Sequence, residues 1–308
     1  MTLAGEMRGA AAALLATPDG ARAAAPFADD AARRWIEYRP RPRPGLSIAD
    51  LGRTARKAAH RLLATALSPP AYAQAMTVLA LEEILDRREG WARGRHSEDY
   101  HVIVFGAPSD DEWGWRFEGH HLSVSMTVAG DRVSPAPVFL GANPARVDTG
   151  GRVVLRPLAV EEDLAHELLR AMPAALRRRA VIADRAPSDV RSATNPASTV
   201  LTPHGVPRAD LRPGERALLD QLIAVHLGRL PDDLAAALDP TGSDVHFAWE
   251  GPPGPGTRHY YRIQADDLLI EFDNTSEDGN HAHSVLRRPR GEFGGDILAA
   301  HRAGFPHD

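Results

Sequence analysis

The chain has 308 residues, 43% hydrophobic and 25% charged, which is enough apolar content for a full core, and its formal net charge is −5. That balance does not recruit a polyanion, so nucleic acid is not an expected partner. The absence of cysteine excludes disulfides, thiolate zinc sites, iron–sulfur clusters and a cysteine nucleophile, and leaves His, Asp, Glu and backbone oxygen as the only metal ligands.

The Ala-rich opening, 1–25, holds a short apolar stretch at 10–16 that runs into Thr17-Pro18-Asp19-Gly20. It reads as a helix and a turn, not a signal peptide. No run of about eighteen apolar residues occurs, so no membrane span is predicted and the cytoplasm is the expected compartment. Between Glu37 and Gly45 alternating prolines hold the chain extended. Ser47 is placed to cap a helix over about 49–66, with Leu51, Ala55, Ala58, Ala59, Leu62 and Leu63 on one face. Ser68-Pro69-Pro70 ends it, and a second helix is predicted from Ala71 to about Arg87.

Strands begin at Tyr100 and are predicted over 100–105, 113–118 and 122–128. The last alternates strictly, Leu122, Val124, Met126 and Val128 against Ser123, Ser125 and Thr127, which predicts a strand covered on one face only. Pro135 and Pro137 place the next extended piece, 132–140, at a sheet edge. Helices return over 161–172, after Pro173, and over 214–227. The segment 184–212, rich in Pro, Ser, Thr and Asn, reads as a long irregular loop of the kind that serves as a lid or binding loop. Strands follow at 246–249, 258–264, 268–273 and 281–287, with a closing helix at 295–302.

This order predicts an α+β protein with antiparallel sheet. It also predicts two related helix-then-sheet halves, 1–150 and 151–308, packed as one globular unit about a pseudo-two-fold axis with a ligand cleft between them. Arg116, Glu118, Leu122 and Val124 align with Arg262, Gln264, Leu268 and Ile270 at a constant spacing of 146 residues.

Two motifs carry chemistry. Under the alignment Gly119-His120-His121 is a turn, where Gly, Asn or Asp would suffice and two histidines are unexpected. In His281-Ala282-His283 the period of a strand sets both imidazoles on one face, with Cα atoms about 7 Å apart. His281 and His283, joined by His120 or His121, make a three-histidine site; two histidines with Asp273 or Glu118 make the alternative. Asp273 and Glu118 are also the candidates for a general base or for the carboxylate that orients a ligand histidine. Arg116 and Arg262 interrupt apolar strands, which suits either gripping an anionic substrate or pairing with Glu118 or Glu271. His166-Glu167-Leu168-Leu169-Arg170 has arginine where a zinc protease needs its second histidine, and reads as a helix surface. Neither a nucleophile elbow nor a phosphate or dinucleotide loop occurs, so no organic cofactor site is predicted.

The run Trp113–Ser123, followed by Phe139-Leu140-Gly141-Ala142-Asn143-Pro144-Ala145, resembles the bacterial and fungal family called domain of unknown function 3500. So do Tyr260–Gln264, Ile270–Thr275 and Asn280-His281-Ala282-His283-Ser284. The likeness spans nearly the whole chain and implies no particular reaction.

The expected function is a metal-dependent enzyme acting on a small molecule, with iron or copper oxidation preferred and a zinc hydrolase or hydratase as the alternative. A non-catalytic binding protein with structural histidines is the third reading. The oligomeric state is left open.

Overall fold

The computed structural model describes residues 2–240 and 244–304. Met1 and the last residues of the 151–308 half therefore lie outside the described residues. The helices are α1 (Leu3–Leu15), α2 (Asp30–Arg33), α3 (Arg53–Ala66), α4 (Pro69–Arg88), α5 (Ala159–Ala171), α6 (Ala174–Ala180), α7 (Pro213–Leu227), α8 (Asp232–Leu238) and α9 (Gly295–Gly304). Four strands form a meander: β3 (Tyr100–Phe105), β4 (Glu112–Gly119), β5 (Leu122–Ala129) and β6 (Arg132–Ala142). A second meander comprises β11 (His246–Glu250), β12 (Tyr260–Ala265), β13 (Leu268–Ser276) and β14 (His281–Arg287). Short strands β1 (Ala24–Ala25), β2 (Leu46–Ser47), β9 (Val181–Ala183) and β10 (Val206–Pro207) extend the sheet at its ends, and β7 (Val147–Thr149) pairs β8 (Arg152–Leu155) apart from it.

The result is an α+β fold whose main sheet runs β1-β3-β4-β5-β6-β14-β13-β12-β11-β10 and is antiparallel except where β1 meets β3 and β9 meets β11. The meanders join where β14 pairs β6. Local chemistry sets the helix ends. Ser47 caps a short 3-10 turn, Ile48–Asp50, and α3 begins only after Gly52. Ser68 caps α4, with prolines in the first turn where no N–H is needed. No helix among the described residues is long and apolar enough to cross a membrane.

One face of the sheet carries the apolar row Leu122, Val124, Met126 and Val128, which joins Ile270 and Phe272 in a core with Leu14, Leu62, Val78, Leu168 and Leu222 from the helices. The opposite face is not solvated as predicted: Ser123, Ser125 and Thr127 are buried too. Its cover is α9, packed through Ile297 and Leu298 on Ala129, together with irregular chain held by polar strand side chains that satisfy its backbone. Glu118 accepts from the Glu37 amide and Arg116 donates to the Ala32 and Trp35 carbonyls. Glu271 accepts from the amides of Arg191 and Ser192, and Gln264 pairs both ways with the Leu201 backbone.

The prediction for 132–140 is also corrected. β6 lies in the middle of the sheet, between β5 and β14. Its prolines are tolerated because β14 pairs only Val138–Ala142, so near Pro135 and Pro137 β6 has β5 alone beside it, at a register shift.

Candidate metal centre

His120 and His121 form the whole two-residue turn between β4 and β5, with Gly119 opposite Leu122. His121 sits at φ +60°, a left-handed conformation that Gly or Asn would take more cheaply. The turn is sewn to both neighbours: the His121 amide donates to the Tyr38 carbonyl at 3.0 Å, and the Gly141 amide donates to the His121 carbonyl at 2.7 Å. Glycine is required at 141, since a Cβ there would come within 2.7 Å of the His121 ring.

From this turn the His121 ring meets the other motif. Its Nε2 lies 2.8 Å from Nε2 of His281, which lies 3.0 Å from Nε2 of His283. The strand period puts the second pair on one face of β14, and the pairing of His283 with Gly141 on β6 brings that face under the turn. His120 turns away: its Nδ1 binds Glu82, while its ring lies tilted against that of His121 with centroids 3.8 Å apart.

The far nitrogens are anchored. His283 Nδ1 faces Asp189 Oδ1 at 2.8 Å and Asp273 Oδ2 at 3.3 Å. Tyr38, stacked on Phe139 at 4.0 Å, donates its hydroxyl to the other Asp189 oxygen, and Thr275 donates its amide and hydroxyl to Asp273. His281 Nδ1 is 3.4 Å from the Asn143 amide nitrogen and 3.5 Å from Glu277. Carboxylates behind an imidazole fix its orientation and point the opposite nitrogen at a metal.

Burial, reinforced by the neighbouring histidines, pushes His121 far below the usual imidazole range and His281 down to about 3. Burial also opposes a proton on His283, but the hydrogen bonds and charges of Asp189 and Asp273 outweigh it and lift His283 to about 9.

The arrangement has one chemical peculiarity. A ring nitrogen offers one lone pair or one proton, so Nε2 of His281 is able to make one good hydrogen bond, yet two imidazole nitrogens crowd it. A cation accepting all three lone pairs resolves this. Tetrahedral sites with metal–nitrogen bonds of about 2.0–2.1 Å put donors about 3.3 Å apart, a few tenths of an ångström wider than seen here.

The structure thus gathers His121, His281, His283 and Asp273, and adds Asp189, Asn143, Glu277 and Tyr38, which the sequence did not single out as site residues. The clue to Asp189 was the long 184–212 segment, flagged as a binding loop. Glu118, Arg116 and Arg262 lie elsewhere. Glu118 accepts from Trp35, Glu37 and Ser123, near Arg43 and Arg116. Arg262 is bonded to Glu250 and the Pro203 carbonyl.

Fold and cluster together define an α+β protein with a candidate three-imidazole metal centre. A family model described as "Protein of unknown function (DUF3500)" matches residues 2–295, and the chain belongs to that family. No curated protein and no solved structure matches it.

Proposed function

We propose that the protein is a metal-dependent enzyme acting on a small molecule, with the ion held by Nε2 of His121, His281 and His283. The carrying observation is the convergence of those three nitrogens, with carboxylates behind His283. Three neutral donors leave the ion its full charge and open positions for substrate, oxygen or water. An all-nitrogen set suits iron or copper, so oxidation is the preferred reaction class. In this reading Asp189 and Asp273 orient His283 and are not the base.

A cavity of about 420 Å³ lies on the far side of His120, lined by Arg41, Arg43, Arg93, Arg95 and Glu82 among others but by none of the three ligand histidines. Arg43, Arg93 and Arg95 there are already paired with Glu118, Glu89 and Glu82, so the charge of the cavity does not select a substrate. We further read the chain as two related halves, 1–150 and 151–308, about a pseudo-two-fold axis between β6 and β14. In support, the β4–β5 and β12–β13 hairpins share one register 146 residues apart, Gly119 opposite Leu122 and Ala265 opposite Leu268.

Elemental analysis of the purified protein and of a His281→Ala/His283→Ala variant tests the centre. The expected result is one equivalent of metal in the wild type that is lost in a variant that keeps its circular dichroism. No metal at this site in either would leave the histidines structural. Iron or copper with substrate-dependent oxygen uptake supports oxidation, whereas zinc that is lost with His281 and His283, without oxygen uptake, overturns it in favour of a hydrolase or hydratase.

The proton on His283 gives a second expectation. A histidine lifted above its unfolded value of about 6.5 stabilises the metal-free fold fully below that pH, and the contribution fades as pH rises through about 9. A metal must displace that proton, so apparent affinity should rise about tenfold per pH unit and level off near pH 9. Chelator competition at several pH values measures the slope; a flat profile would show that the metal does not take His283.

A further inference from the structure

A second set of donors lies apart from the three-imidazole centre, where α5 meets the start of β12. Glu162 and His166, four apart on α5, share one face of that helix. The His166 side chain is not the helix surface that the sequence suggested: the residue is buried, with its ring edge-on to Trp249 at 4.9 Å and to His259 at 4.5 Å. The His259 ring lies flat on Trp249 at 4.4 Å. His259 Nδ1 donates to the Thr257 carbonyl at 2.9 Å, which fixes the tautomer and leaves a lone pair on Nε2.

Nε2 of His259 and Nε2 of His166 are both buried without a hydrogen-bond partner among the described residues. The two residues are 0% and 6% exposed, and an unsatisfied buried polar atom costs about 1–3 kcal/mol, so two at one place call for a common explanation. One ligand atom from each of Glu162, His166 and His259 lies within 4.8 Å of the others. The Glu162 oxygens accept from Asn274 at 3.0 Å and Arg156 at 2.8 Å and keep further lone pairs. Arg156 is itself held by Asp163, which offsets its charge beside the carboxylate. A cavity of about 500 Å³ opens onto Glu162 and His166 and gives an ion a way in.

We propose that Glu162, His166 and His259 form a second divalent-cation site, of two nitrogens and one carboxylate, with a remaining position facing that cavity. This donor set suits zinc, whose open sites commonly use two histidines and a glutamate. Burial keeps both imidazoles neutral, as ligands must be, pushing His259 down to about 3 and His166 below its ordinary range.

Zn2+ titration of the chelator-stripped, full-length protein by calorimetry tests the site independently of the first. The wild type should bind two equivalents, the His281→Ala/His283→Ala variant one, and that variant with His166→Gln none. One equivalent lost with His281 and His283 but untouched by His166→Gln overturns the second site and keeps the first. One equivalent with the opposite dependence keeps the second and overturns the first, and no binding overturns both. If His166→Gln does not fold by circular dichroism, Glu162→Gln replaces it. A lost ligand is worth at least the about 10–100-fold of an orienting partner, so unchanged affinity in Glu162→Gln also overturns the proposal.

Discussion

Replacing His121 with asparagine should strip the three-imidazole centre of its metal while sparing the fold, and His120→Asn should leave the metal in place. The contrast rests on a single turn. His121 holds φ +60°, which costs a residue with a bulky side chain on the order of 1 kcal/mol and asparagine less. Relief of that strain offsets the lost ring contact with His120, so the metal-free stability of His121→Asn should stay within about 1 kcal/mol of the wild type. The metal has no such compensation. Its affinity should fall by more than the about 10–100-fold of an orienting partner, because a ligand is gone. His120 gives its Nδ1 to Glu82 and contributes no atom to the His121–His281–His283 cluster, so its asparagine variant should keep the ion. Metal content and thermal melts of the two variants decide the matter; equal loss from both would mean that the neighbouring Glu82–His120–His121 group holds the ion instead.

A backbone strained to aim a side chain is information about function that propensity cannot carry. The His-His pair stood out in the sequence because a turn did not need it, but which ring faces the cluster follows from one left-handed dihedral that spacing does not encode. His281 and His283 were legible because the two-residue period of a strand is rigid, and Asp273 because β13 returns beside them, opposite His283. Asp189 was not: it reaches His283 across 94 residues from a segment without periodicity. The element order and the α+β class followed from apolar spacing. The covering of the second sheet face did not, because alternation reports which side chains are polar and not whether irregular chain will bond to them. The same blindness affected Pro135 and Pro137, whose freedom depends on how far a distant strand extends, and His166, whose partners come from β11 and the approach to β12.

Those buried polar hooks carry the second large effect. Glu118→Ala should cost about 3–5 kcal/mol, the range for breaking a buried ion pair by removing one partner. Arg116 and Arg43 would remain buried without their carboxylate, and the Trp35 indole, Glu37 amide and Ser123 hydroxyl would lose their acceptor. Glu118→Gln keeps the shape and one acceptor oxygen and should lose less. The damage should also reach the metal, because the chain that Glu118 fastens at Glu37 continues into Tyr38, whose carbonyl holds the His121 amide and whose hydroxyl holds Asp189. Urea unfolding gives the stability change, and metal titration under native conditions gives the transmitted effect. A Glu118→Ala protein as stable as the wild type would remove the latch from the account. A Glu118→Gln protein that is fully stable and fully loaded with metal, yet without turnover once a substrate is in hand, would return Glu118 to the role of general base.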